Sequence, residues 1–152
     1  RKAPSSTACV VILVEKFIPW LSVLRKRYRS IRSPEVVLIG TGSEVALCLE
    51  AADLLEGDGI PTRVVSMPCF DRFGEQDAAY RDSVLPPACR ARVSVEAAAT
   101  LGWDRWVGDA GETVGMNGFG ASGPAKELFK HFGFTPEKVA EAGRRAVERA
   151  GA

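Results

Sequence analysis

The stretch Glu35-Val36-Val37-Leu38-Ile39-Gly40-Thr41-Gly42-Ser43-Glu44 decides the fold. Pro34 opens it, and Val36 to Ile39 follow without polar alternation, as a strand buried on both faces requires. The run ends in a glycine-rich turn in which Thr41 and Glu44 have capping-box spacing. The Thr hydroxyl is placed to accept the Glu44 N–H, and the Glu44 carboxylate to reach back to the Thr41 amide. A helix should follow, with Val45, Leu49, Ala52 and Leu55 as one apolar stripe and Gly57 and Gly59 at its end. Thr62 to Met67 reads as the next strand, stopped by Pro68. Strand, helix and strand in this order predict a right-handed βαβ crossover.

Further along, Asp77 can cap a helix running to Val84, which Pro86-Pro87 prevents from continuing. Arg92 to Ala97 is a third strand, and Trp106-Val107 and Thr113 to Met116 read as short strands around a Gly111 turn. Gly118 to Pro124 is a loop and Ala125 to Phe132 a short helix. The last helix has Thr135 as cap, Pro136 in its first turn, and Val139, Ala142, Ala146 and Ala150 on one face. Alternating strands and helices give an α/β sandwich with a mostly parallel sheet.

The totals agree with one domain of ordinary size: 152 residues, 46% hydrophobic and 26% charged. The net charge of +1 hides an asymmetry. Residues 1 to 32 carry eight basic residues against Glu15 alone, a net +7, so the remainder carries −6. Val10 to Val14 fits a short buried strand. Phe17 to Leu24 is apolar around Pro19, and Arg25 to Arg29 is basic. Such a stretch can lie on an anionic membrane or bind nucleic acid, but a solvated leader outside the domain is the plainer reading. The expected division is therefore a basic leader over residues 1–32 and a domain over 33–152, with neither membrane nor nucleic acid as a partner. Cys9, Cys48, Cys69 and Cys89 form no C-x-x-C pair and only His131 is available beside them, so reduced thiols are expected rather than a metal site or disulfide framework. No apolar run approaches the length of about 20 residues that a membrane span needs.

Several segments in order resemble the C-terminal domain of transketolases: VVLIGTGSEVAL (36 to 47), RVVSMP (63 to 68), QDAAYRDSVLPP (76 to 87), ARVSVEAAATLGW (91 to 103) and VGMNGFGASGPAKELFKHFGFTPEKV (114 to 139). The resemblance spans residues 35 to about 149. It implies a three-layer α/β sandwich whose sheet is mostly parallel with one antiparallel strand. It also implies a parent enzyme, cytoplasmic or plastidic and homodimeric, that moves a two-carbon ketol unit between sugar phosphates with thiamine diphosphate and a divalent metal (Mg or Ca), in the pentose phosphate pathway or carbon fixation. Two departures stand out. The family's Gly-Gly-Tyr-like lead-in to the domain is missing before Ser33, and Gly123 replaces a more usual alanine.

In that family the cofactor and sugar-phosphate groups belong to the two preceding domains. This sequence has no Gly-Asp-Gly metal motif and one histidine. The resemblance thus implies a chain that holds no cofactor or metal, has no catalytic residues and is inactive alone. It would serve domain packing and dimer assembly against cofactor-binding domains supplied by the same chain or by a separate subunit. An orphaned face bearing an apolar patch is expected.

The residues themselves offer a competing site. Gly40, Thr41, Gly42 and Ser43 open a helix, where free N–H groups and the dipole attract anions, so a stand-alone anion- or nucleotide-binding regulatory module is the alternative function. Against it, Val45 occupies the third glycine position of a dinucleotide fingerprint, no Walker lysine follows, and Glu44 adds negative charge. Glu96, Asp104 and Asp109 invite a reading as an acid/base or metal cluster, but no histidine or second motif accompanies them, and a partly buried glutamate bonding backbone N–H groups is the better reading of Glu96. His131 reads as helix-surface decoration. Trp103, Trp106 and Phe119 suit a ligand platform or, equally, the aromatic part of an interface.

Overall fold

The computed structural model describes Val11–Ile12 and residues 33–152. Its elements in chain order are β1 (Val11–Ile12), β2 (Val36–Gly40), α1 (Glu44–Gly57), β3 (Thr62–Ser66), α2 (Phe70–Gly74), α3 (Ala78–Val84), β4 (Arg92–Val95), α4 (Asp104–Val107), β5 (Glu112–Val114), α5 (Ala125–His131) and α6 (Pro136–Gly151). The strands form one sheet in the order β1-β3-β2-β4-β5. The rest of residues 1–32, with its apolar and basic stretches, lies outside the described residues.

Every pairing among the described residues is parallel, which corrects the expected antiparallel strand. An antiparallel neighbour follows from a short hairpin, whereas a parallel return needs a crossover of a dozen residues or more. Sixteen residues containing α4 separate Val95 from Glu112, and helices likewise separate β2 from β3 and β3 from β4. Each connection carries the chain back to the starting edge, so each strand runs the same way.

The predicted central strand is buried as its composition demands: Val36, Val37, Leu38 and Ile39 are each 0% exposed. Val36 and Leu38, with Val64, Val93 and Val95, pack on Cys48, Ala51, Ala52 and Leu55 of α1 and Val139, Ala142 and Ala146 of α6. Val37 and Ile39, with Val65 and Met67, face Phe73, Val84, Trp103 and Trp106 from α2, α3 and α4. Those two faces make the three layers. The buried stripe of α1 is centred on Cys48, Ala51, Ala52 and Leu55, while Val45 and Leu49 of the expected stripe are only partly buried beside it.

Helix ends follow local chemistry. Gly59 takes φ +83°, and Ile60 N–H and Gly59 N–H close on the carbonyls of Leu55 (3.0 Å) and Glu56 (2.9 Å), a Schellman closure beyond α1. Asp77 caps α3 by accepting Tyr80 N–H at 2.8 Å, and Thr135 caps α6 by accepting Lys138 N–H at 3.4 Å. Trp106-Val107, expected as strand, is helical: both N–H groups donate to the Trp103 carbonyl (2.9 and 3.0 Å), which turns Trp106 under Phe70 and Phe73.

Edge strand β5 is tied to α6 by charge. Glu112 accepts from Arg145 through both oxygens and from Arg149 at 2.8 Å. The hydrogen bond from Arg145 chiefly, with that from Arg149 and both charges, holds the Glu112 carboxyl below the usual glutamate range against the opposing effect of burial. A depressed folded value contributes stability that is fully present above the unfolded value of about 4.3 and is lost as pH falls through the folded value. Both arginine side chains are about half exposed, at 50% and 46%, so the network should be worth no more than about 1 kcal/mol. Thermal melts from pH 7 down to pH 3 should show the Glu112→Gln protein slightly less stable at neutrality. Its deficit should close on acidification below about pH 4.3; a deficit independent of pH would remove the charge from the explanation.

Candidate functional site

In open α/β sheets, ligands bind outside the carboxyl ends of the strands, where the strand order reverses. Here the chain goes from β2 to β3 on one side, then to β4 on the other, so the reversal lies between β2 and β4. The Gly40–Ser43 turn and Glu96 both sit at that point.

The structure fills the crevice with its own side chains. Thr41 Oγ1 donates to Glu96 Oε1 at 3.1 Å, and Trp103 Nε1 donates to Glu96 Oε2 at 2.9 Å. Glu44, only 7% exposed, accepts from Ser43 Oγ at 3.2 Å and from Ala97 N–H at 3.4 Å. The predicted capping box is therefore not formed. Glu44 N–H goes to the Thr41 carbonyl (3.1 Å), and the Thr41 hydroxyl is drawn instead to a carboxylate 55 positions away. Crowding favours glycine at position 40, since a Cβ there would lie 3.0 Å from Val45 N and 3.1 Å from Cys48 Sγ, which would have to give way.

Chemically, the turn presents two carboxylates where an anion would approach. Its Thr41 hydroxyl and Glu44 amide are already engaged. Glu96 bonds side-chain donors from two elements, rather than backbone N–H groups. Asp109 does not join it, pairing instead with Arg90 at 2.8 Å on the surface, where that hydrogen bond leads the causes that lower its pKa. Asp104 begins α4. Among the described residues no three His, Cys, Asp or Glu side chains come together in a way that would hold a metal ion. His131 is exposed at the end of α5, its ring edge-on to Phe132 at 4.9 Å.

The three aromatics considered together in the sequence part company. Trp103 is 0% exposed and meets Phe70 edge-to-face at 4.6 Å, and Trp106 meets Phe73 at 5.0 Å. Phe119 is 100% exposed. It lines an open groove of about 690 Å³ between Ala97–Leu101 and Met116–Gly120. Sequence reasoning did not assemble this groove, although its signal was there: both stretches lack any charged residue.

A family model for the transketolase-like C-terminal domain matches residues 23–135. The plasmid transketolase of Cupriavidus necator is 53% identical over 122 residues, covering 80% of this chain and 18% of the relative. The chloroplastic transketolase of Solanum tuberosum is 48% identical over 112 residues, covering 74% and 15%. The solved transketolase of Leishmania mexicana superposes with a TM-score of 0.74 at 41% identity, covering 81% of this chain and 18% of that one. The chain thus spans less than a fifth of the length of these relatives. No helix among the described residues is long and apolar enough to cross a membrane.

The crevice network should be measurable as stability. Glu96→Ala leaves the buried Trp103 N–H without its acceptor and should cost about 2 kcal/mol in urea unfolding, whereas Glu96→Gln, which keeps an acceptor oxygen, should cost about 1 kcal/mol or less. Equal midpoints for wild type and Glu96→Ala would show that the network carries no stability.

Proposed function

The chain belongs to the transketolase family, whose C-terminal domain it carries, and from that premise we propose that it is a non-catalytic assembly element of a ketol-transferring enzyme. The whole enzyme would move two-carbon units between sugar phosphates with thiamine diphosphate and a divalent metal, in cytoplasm or plastid. In this reading the cofactor belongs to the remainder of the enzyme, whether on the same chain or a separate subunit, and this domain packs against that remainder and supports a homo-oligomer. The observation that carries the proposal is the closed crevice: Thr41 and Trp103 occupy the Glu96 carboxylate at the position where this sheet type would hold a ligand.

The test replaces the matching C-terminal portion of the Cupriavidus necator plasmid transketolase with residues 33–152. That boundary leaves out β1, which pairs with β3, and residues 23–32 of the family match, so the chimera also tests whether they are needed. The chimera should transfer ketol units from xylulose 5-phosphate to ribose 5-phosphate within about tenfold of the parent rate, a barrier difference of about 1.4 kcal/mol. The 152-residue chain alone, given thiamine diphosphate and magnesium, should give no turnover. Turnover by the isolated chain, or a folded but inactive chimera, would overturn the reading.

The anion-binding alternative is tested on the same isolated chain. Glu44 and Glu96 at the turn disfavour an incoming anion, so titration with phosphate, ATP or ribose 5-phosphate should leave the melting temperature unchanged. A saturable rise, which binding to the folded state produces by mass action, would establish the turn as a site.

A further inference from the structure

We propose that the uncharged groove beside the carboxyl ends of β4 and β5 is the surface on which the cofactor-binding part of a full-length transketolase seats this domain, an inference that rests on the assembly reading above. Two stretches meet there, Ala97 to Trp103 and Thr113 to Ala125, and neither contains a charged residue. At the chain's 26% charged content, about five charges would be expected in those twenty residues. Yet, apart from buried Trp103 and half-buried Thr113 to Met116, these stretches are not core: Ala97, Ala98, Ala99 and every residue from Asn117 to Ala125 are exposed. Leu101 and Phe119 stand 90% and 100% in solvent. Charge depletion around an aromatic anchor is the composition of an interface centre, whereas a solvated surface is rich in charge.

The groove is also preformed. Met116 N–H donates to the Ala98 carbonyl at 2.9 Å, and Thr100 Oγ1 donates to Asn117 Oδ1 at 3.1 Å. Gly115 lets the two stretches touch, because a Cβ there would lie 2.7 Å from Thr100 Cγ2. Docking on such a surface costs little loop ordering. The occupant is argued from proportion. The matched segment is 15% to 18% of its curated relatives, so on the assembly reading the remainder of the enzyme is more than four times as long as that segment and rests on part of this domain. The charge-free face is the one that loses least by being dehydrated.

Phe119→Asp and Leu101→Asp separate this role from a structural one. In the isolated chain both positions are solvent-exposed, so each variant should melt within about 1 °C of wild type. In the chimera described above, the same substitutions should lower the melting temperature by several degrees and cut ketol-transfer activity about tenfold or more. An active chimera that is indifferent to both substitutions overturns the groove while leaving the assembly reading intact. An inactive parent chimera overturns both. Equal losses in the isolated chain and the chimera would make the residues merely structural. A self-associated chain that Phe119→Asp renders monomeric would assign the groove to a second copy; either result overturns the proposal.

Discussion

A strand with no solvent face imposes the rest of this architecture. Val36 to Ile39 are wholly buried, and side chains on alternate sides of a strand cannot share one neighbour. Helices must therefore cover both sides. Small residues let α1 and α6 approach the sheet on one side, with Ala51, Ala52, Ala140 and Ala142 in the contact. The other side is filled by fewer but larger groups, led by Trp103 and Trp106. Each buried Val, Leu or Ile of β2 contributes about 1.5–3 kcal/mol relative to exposure, so no single helix layer could be stripped without exposing half of that strand.

The layer containing short helices needs polar reinforcement, and two arginines supply it, one buried and one half-buried. Arg63 of β3 is 3% exposed and donates to the carbonyls of Ser83 (2.8 Å) and Val84 (2.9 Å) at the end of α3. Arg92 of β4 donates to the carbonyls of Leu85, Pro86, Cys89 and Trp106. Burial lowers both guanidinium pKa values, and it raises that of the Cys89 thiol lying near them. These cations satisfy carbonyls that a proline-terminated helix leaves open, a need the Pro86-Pro87 break creates.

Legibility in the sequence tracked the range of the interactions. Asp77, Thr135 and Gly59 act within a few residues of themselves, and each terminates its helix as its type predicts. Thr41 and Glu44 had equally clear local spacing, but each found a partner more than fifty positions away, Glu96 and Ala97, so tertiary contact overrode the box. The Trp106-Val107 segment reads as strand by composition, yet it is helical because Trp106 packs on Phe70 and Phe73, which pairing in a sheet edge would not have allowed. Parallel direction throughout was readable in principle from connection lengths; the antiparallel strand came from resemblance, not from any hairpin signal in these residues. The groove was least legible, because Leu101 and Phe119 lie 18 positions apart and their loops are joined by the β4–β5 pairing and by tertiary hydrogen bonds such as Met116 N–H to the Ala98 carbonyl.

The Glu96 network bears on how this sheet manages the gap at the carboxyl ends of its central strands. The reversal between β2 and β4 creates a gap at the carboxyl ends of the strands that something must fill, since the Glu96 carboxylate and Trp103 N–H would otherwise be poorly solvated. In a ligand-binding sheet the filler is the ligand, and the domain loosens when it leaves. Here the filler is covalently part of the domain: Trp103 reaches back seven positions to Glu96, and Thr41 closes it from the opposite strand. The Glu96 carboxylate thereby has both oxygens engaged by the domain's own donors. Internally bonded side chains next to an uncharged groove suit a permanent docking surface better than a site that must open and close with each turnover, because only the former gains from having nothing left to reorganise.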